Sequence, residues 1–186
     1  MKAGFDFPRY DVENVVVTTQ LSKNFNLVDI NKKLAGAVYE PGKFPALRLK
    51  KYNVGFLLYS SGSTVCSGSK SPEEASQKIE LLRGDLKKCG IETNTPEIMI
   101  RNIVASVDLG KELKLHELAY LIEDSEYNPE YFPGMKIRKG NTRILVFRTG
   151  KAIIPGLKSM DEVGKTVSWL KNRLDAMEVE IDKIIE

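Results

Sequence analysis

Cysteine and histidine are nearly absent from this chain. Its 186 residues hold two cysteines, Cys66 and Cys89, and one histidine, His116. Two thiols cannot staple a scaffold or build a structural zinc site by themselves. A single imidazole removes most metal sites and most histidine-based catalysis. No stretch approaches the roughly 18 to 20 uninterrupted apolar residues of a membrane span. Met1-Lys2-Ala3-Gly4 leads into charged sequence with no apolar signal-peptide core, so an intracellular chain is expected. What remains is ordinary: 42% hydrophobic and 28% charged residues, with a formal net charge of +3, as in a globular protein. The charge is uneven. Residues 1–93 carry 14 basic and 10 acidic side chains, net +4; residues 94–186 carry 14 and 15, net −1. Composition names no function.

Comparing the chain with itself does more. Val12–Glu92 lies over Ile100–Glu180 at a constant offset of 88 without a gap, and 20 of the 81 aligned positions are identical. The identities include Asn14/Asn102, Val16/Val104, Tyr39/Tyr127, Pro41/Pro129, Phe44/Phe132, Pro45/Pro133, Leu57/Leu145, Gly62/Gly150, Gly68/Gly156, Lys70/Lys158, Ser71/Ser159 and Glu74/Glu162. Solenoids use more and shorter repeats. Two long copies imply one duplicated unit and two similar lobes about a pseudo-two-fold axis, with 1–93 as the first repeat, 94–186 as the second, and a boundary near Thr93-Asn94-Thr95-Pro96. Identical residues serve either the shared fold or a ligand that is itself nearly symmetric, and duplex DNA is such a ligand.

Each copy predicts the same elements. A β-branched run opens it (Val12–Thr19; Ile100–Val107), as in a strand. A short helix follows on Leu27, Ile30 and Leu34, repeated by Leu115, Leu118 and Leu121. After Tyr-x-Pro-x-x-Phe-Pro come strands at Ala46–Lys51, Gly55–Ser60 and Thr64–Ser67, and at Met135–Lys139, Arg143–Arg148 and Ala152–Pro155. Gly62 and Gly150 supply turns. Each copy closes on an amphipathic helix with Ile79, Leu82, Leu86 and Cys89, or Val163, Val167, Leu170 and Leu174, on one face. Pro72 suits the first turn of the first of these. The fold class is α+β, an antiparallel sheet with helices on one face.

The other face must be wet or used. Alternation puts Asn14 and Val16, Leu57 and Tyr59, and Val65 and Ser67 on it, with Asn102, Val104, Leu145, Phe147, Ile153 and Pro155 as their copies. Exposed, so broad an apolar surface marks a binding face. The alternative is that the faces are reversed and this set is the core. Gly62 to Lys70-Ser71 superficially suggests a phosphate loop, but five residues separate the glycines and Ser69 separates Gly68 from Lys70, so a strand between turns is the reading. His116 lies in the helical pattern of the second copy, at the position of Val28 in the first, and reads as a surface or packing residue; Cys66 and Cys89 occupy apolar positions and, like Trp169, read as packing. Glu73-Glu74 and Asp161-Glu162 open helices, where acids complement the dipole. No catalytic constellation emerges, so no enzyme is expected.

Asn-x-Val, Tyr-x-Pro-x-x-Phe-Pro, an aliphatic-aromatic strand into Ser/Thr-Gly, then Gly-x-Lys-Ser, all present twice, resemble the TATA-box-binding protein family from about Val12 to Met177. The lack of a long N-terminal extension is more like archaeal members, although the basic balance is less typical of them. The resemblance implies a saddle-shaped, curved antiparallel sheet with helices on its convex face and a concave face for the minor groove. It implies a transcription initiation factor that binds A·T-rich, TATA-like promoter DNA and kinks it. Partners would be a transcription-factor-B-like protein and the RNA polymerase machinery, with no cofactor, metal or membrane. A second copy would cover the concave face when DNA is absent. The location would be cytoplasm or nucleoid, or the nucleus in a eukaryote.

Residue by residue, the resemblance gives Asn14 and Asn102 base contacts through A·T acceptors. Val16, Val104, Leu57, Leu145, Val65 and Ile153 would pack on sugars and base edges, with Ser67 as a hydrogen-bonding group. Phe44 with Tyr59, and Phe132 with Phe147, would be the kinking pairs. Lys50, Arg138 and Lys151 would contact phosphates, and Glu130 and Tyr131 the partner protein. The chain departs from the pattern at Tyr59, where the family has phenylalanine, and at Pro155, which lacks the hydroxyl of Ser67. Ser63 replaces the lysine seen at Lys151, and Asn128 stands where a glutamate meets the partner. A proline in that strand also implies an edge or bulge. A divergent paralogue serving as a protein or nucleic-acid docking module, without TATA preference, is the competing expectation.

Overall fold

The computed structural model describes residues 7–185. They form two compact units. One is Glu13–Asn102; the other runs from Ile103 to the end of the described residues and includes the start of the first strand up to Val12.

The Glu13–Asn102 unit contains most of β1 (Arg9–Gln20), then α1 (Leu27–Lys33), β2 (Ala37–Val38), β3 (Ala46–Lys51), β4 (Val54–Tyr59), β5 (Ser63–Ser69) and α2 (Pro72–Lys88). Its strands pair antiparallel in the order β2-β3-β4-β5-β1. Val15 and Val17 of β1, Leu47 and Leu49 of β3, Phe56 and Leu58 of β4 and Cys66 of β5 are buried, as are Ile79, Leu82 and Leu86 of α2. The period-2 and period-3.6 stripes thus meet in one core, where each fully buried aliphatic side chain contributes about 1.5–3 kcal/mol. Helix α2 starts at Ser71, whose side chain accepts from the Glu74 N–H, while the Glu74 carboxylate accepts from Lys70 N–H at 2.7 Å. Pro72 occupies the first turn, as the sequence predicts.

The second unit holds most of β6 (Met99–Asp108), α3 (Leu115–Leu121), β7 (Ser125–Glu126), β8 (Gly134–Lys139), β9 (Thr142–Phe147), β10 (Lys151–Leu157) and α4 (Met160–Ile185). Its strand order is β6-β10-β9-β8-β7, again antiparallel. Ile103, Ala105, Ile137, Ile144, Val146 and Ile154 face Val163, Val167, Leu170 and Leu174 of α4, all buried. Glu162 and Ser159 repeat the capping arrangement: Ser159 Oγ accepts from Glu162 N–H and Glu162 accepts from Lys158 N–H. The fold class is therefore as the sequence predicts, an antiparallel sheet with helices on one face, present twice.

Three details differ from the sequence pattern. The short helix α3 buries Ile122 and leaves Leu121 only half-buried, because the chain turns extended at Ile122, which caps the helix (φ −100, ψ 101). Cys89 is half-buried at the C-cap of α2 and its thiol donates to Lys33 C=O at 3.4 Å. Strands β2 and β7 are two residues each, too short for any alternation to announce them. Gly62 and Gly150 do hold the turns after β4 and β9, at φ +83 and +79, and an added Cβ would run into the carbonyl oxygens of Ser22 and Lys111 respectively.

Candidate nucleic-acid interface

Cross-strand register assembles the uncovered face row by row. In the Glu13–Asn102 unit Val16, Ser67, Gly55 and Lys50 stand opposite one another across β1, β5, β4 and β3. The next row is Thr18, Val65, Leu57 and Arg48, and Tyr59 opposes Ala46. Every apolar member of these rows except Ala46 is half-buried, whereas their strand neighbours Val15, Val17, Phe56, Leu58 and Cys66 are fully buried. The faces are not reversed: the core lies under the helices and the Leu57–Tyr59–Val65 face is open. In the other unit Ser106, Ile153, Leu145 and Lys136 form one row, with Phe147 opposite Gly134 and Arg138 opposite Arg143. Ile153 is 37% exposed.

Asn14 is oriented by a bulge. Val15 pairs with Ser69 and Val16 with Ser67, so Gly68 is an extra residue in β5, at φ +107. Its N–H leaves the ladder and donates instead to Asn14 Oδ1 at 2.8 Å. With its oxygen engaged, the Asn14 amide presents its NH₂ group as a donor. Asn102 and Val104 lie on the same side of β6, half-buried. Pro155 and Gly156 form the matching bulge in β10, where pairing jumps from Ile154/Ala105 to Leu157/Ile103. That is the bulge expected of a proline there. Pairing of β10 with β9 stops at Ile153, whereas β5 continues to Ser67 opposite Gly55.

The aromatic pairs are not alike. Phe132 and Phe147 pack edge to face, ring centroids 5.9 Å apart. Among the described residues no such contact joins Phe44 and Tyr59. Both loops that carry the first aromatic are fixed by backbone bonds: Phe44 N–H donates to Glu40 C=O at 2.9 Å, and Phe132 N–H to Asn128 C=O at 3.0 Å. Tyr131, next to Phe132, is 88% exposed and Glu130 is exposed beside it.

The cations divide into two kinds. Arg48 is paired with Glu40 at 2.7 Å and Lys136 with Glu126 at 3.2 Å. Lys50, Arg138 and Lys151 are exposed, and among the described residues no carboxylate pairs with them. Arg143, which the sequence comparison passed over because its counterpart is Gly55, is also exposed and directly opposes Arg138. Only the pairing register shows that these two guanidinium groups share a place on the sheet.

The remaining singular residues are surface or packing groups: His116 is exposed and Trp169 is half-buried. His116 meets the Tyr127 ring edge-on at 4.9 Å, and the Lys139 ammonium lies 5.5 Å from the centre of the Trp169 ring. Burial pushes the Cys66 thiol up to about 11, which leaves it protonated and inert. Among the described residues no group of three or more metal-ligating side chains converges, and no helix is long and apolar enough to cross a membrane.

Known proteins match this arrangement. The family described as transcription factor TFIID (or TATA-binding protein, TBP) matches residues 9–89 and again 97–177, two segments displaced by the same 88 residues as the internal repeat. The chain belongs to the TATA-binding protein family. The TATA-box-binding protein of Methanocaldococcus jannaschii is 39% identical over 175 residues, covering 91% of this chain and 94% of that protein. That of Archaeoglobus fulgidus is 38% identical over 170 residues, covering 88% and 93%. A solved structure of Methanococcus jannaschii TBP superposes with a TM-score of 0.85 at 37% identity, over 91% of this chain and 99% of that one. The TATA-binding protein family accounts for the duplicated architecture, and these family members are TATA-box-binding proteins rather than enzymes.

Proposed function

We propose that this protein is a promoter-recognition factor that binds A·T-rich, TATA-like DNA in the minor groove, kinks it, and recruits a transcription-factor-B-like protein and the polymerase machinery. The observation that carries the reading is the open apolar face on each unit, with the Asn14 amide held as a donor by the Gly68 N–H. The minor groove of A·T pairs offers only acceptors, adenine N3 and thymine O2, while G·C adds a donor. An amide locked as donor at Asn14, and Asn102 at the repeated position, suits the first and is blocked by the second.

The chemistry of the face follows the same logic. Val16, Leu57 and Val65, with Val104, Leu145 and Ile153, offer apolar surface to sugars and base edges and tolerate a widened groove. Ser67 adds one hydroxyl that Pro155 cannot repeat. Phe132 with Phe147, and Phe44 with Tyr59, would wedge into base steps; unstacking costs a few kcal/mol per step and is offset by the wrapped contact area. Lys50, Arg138 and Lys151 would meet phosphates and release counterions. Glu130 and Tyr131, exposed in the loop before β8, suit the protein partner, and a second copy would shield the apolar face when DNA is absent. The two copies of the repeat serve as the two domains of this activity.

The test is binding and bending of a fluorescently end-labelled TATA duplex beside a G·C-rich control across a salt series. Tighter binding to the TATA duplex with increased end-to-end energy transfer is expected. Equal binding to both, without bending, would move the protein to a docking role.

A further inference from the structure

The two units differ where they should be most alike. Gly134 opposes Phe147 across β8 and β9. A Cβ added there would lie 2.7 Å from Phe132 Cε1 and 2.9 Å from Phe147 Cε1. The edge-to-face packing of Phe132 on Phe147 therefore needs glycine at this position. The corresponding residue in the other unit is Ala46, opposite Tyr59, and it does carry a Cβ. Ala46 is buried, 1% exposed, on the side of β3 shared by Arg48 and Lys50. A methyl group thus occupies the space over which the Phe44 and Tyr59 rings would have to meet, and these rings do not pack as Phe132 and Phe147 do.

Charge points the same way. Arg143 opposes Arg138, and like charges facing each other across strands are unfavourable unless an anion lies between them. The corresponding pair is Gly55 and Lys50, with one cation. Lys151 likewise has Ser63 as its counterpart. On the open face the unpaired cations therefore gather on the unit of lower overall charge, Arg138, Arg143 and Lys151 against Lys50 alone, which the net charges of the two halves conceal.

We propose that these differences make the unit containing Gly134 the stronger half of the DNA-binding face, so that Gly134 and Arg143 set the direction in which the protein sits on a near-symmetric A·T element. The proposal rests on the minor-groove reading above. A preassembled Phe132/Phe147 wedge enters a base step without first ordering its rings, and the Arg138/Arg143 pair clamps phosphate on the same unit. The Phe44/Tyr59 wedge must bring its rings together against the Ala46 methyl and find a partner for the Tyr59 hydroxyl.

The experiment uses the full chain and an A·T-rich duplex carrying 2-aminopurine at one end step or the other, whose fluorescence rises on unstacking. One end should unstack more than the other, and Phe147→Ala should abolish that larger signal. Ala46→Gly should raise the weaker signal and shrink the difference between ends by about two- to tenfold in population. Arg143→Gly should shift the orientation ratio toward unity and lower the salt slope. Proton NMR of free Ala46→Gly should show new contacts between the Phe44 and Tyr59 rings, a readout that needs no DNA and that reports in the same spectrum whether the buried strand residue has been replaced without loss of the fold. Equal unstacking at both ends in the wild-type protein, or an unchanged orientation ratio in both Ala46→Gly and Arg143→Gly, overturns this proposal while leaving the minor-groove reading intact. No unstacking at either end, with no A·T preference, overturns both.

Discussion

The side-chain oxygen of Asn14 accepts a hydrogen bond from the Gly68 N–H at 2.8 Å. A bulge in β5 frees that N–H, so a backbone irregularity determines which end of the amide faces outward. Asn14→Asp keeps the acceptor for Gly68 and replaces the outward donor with a second acceptor. It should erase A·T preference, by about 1–3 kcal/mol per lost contact, and the repeat makes Asn102→Asp the matching change. Competition binding between TATA and G·C-rich duplexes checks this; equal losses on both would remove Asn14 from base readout.

Lys50, Arg138 and Lys151 lack carboxylate partners among the described residues, unlike Arg48 and Lys136. Lys50→Ala or Arg138→Ala should weaken binding on every sequence alike and reduce the salt slope by about 1. Lys136→Ala should change it less, because Glu126 already neutralises that side chain. A slope unaltered in Arg138→Ala would show that it touches no phosphate.

Thr19 and Thr64 oppose each other across β1 and β5, and both hydroxyl oxygens are buried without a hydrogen-bond partner. The second copy has Val107 and Ala152 at these positions, also paired, and needs no such hydroxyls. Replacing both threonines by valine should stabilise the protein by about 1–3 kcal/mol per hydroxyl, the cost of an unsatisfied buried polar group. Denaturant midpoints would report the gain; a loss would mean that the hydroxyls are satisfied in solution.

Asp85 receives hydrogen bonds from Lys51 at 2.5 Å and from Tyr52 at 2.6 Å. Burial acts to raise its carboxyl, but the Lys51 and Tyr52 hydrogen bonds and the nearby ammonium groups outweigh burial and hold it below the usual carboxylate range. A lowered folded-state value means that this stability is fully present above the unfolded value of about 3.9 and is lost as pH falls through the folded one. Tyr52 and Asn53 sit at φ +57 and +63, so the same contact pins a hairpin turn that ordinary residues resist. Asp85→Asn should lower the melting temperature near neutrality, and its gap from wild type should close in acid. A gap constant with pH would contradict this linkage.

Much of the fold was legible because its signals are local and occur twice. Ile79, Leu82 and Leu86 fall on one helical face in any register, and Leu57 and Tyr59 fall on one strand face. Periodicity points to Leu121 where the fold buries Ile122, because two adjacent apolar residues straddle a helix end, where capping rather than periodicity selects the buried one. The Ala37–Val38 and Ser125–Glu126 strands have no pattern to read. Identity between the copies carries no signal for Arg143, whose counterpart is Gly55.

Composition, periodicity and the 88-residue repeat by themselves determined a duplicated α+β unit, the residues of its two faces and its family likeness. Those properties depend on neighbours two positions apart in strands and three or four apart in helices, and on identity between copies. Tertiary structure alone decided which face the helices cover, which amide atom of Asn14 points outward, which cations stay unpaired, and that Gly134 lets two rings pack where Ala46 does not. Each of these depends on strand register and on clearances of a few tenths of an ångström between residues distant in the chain.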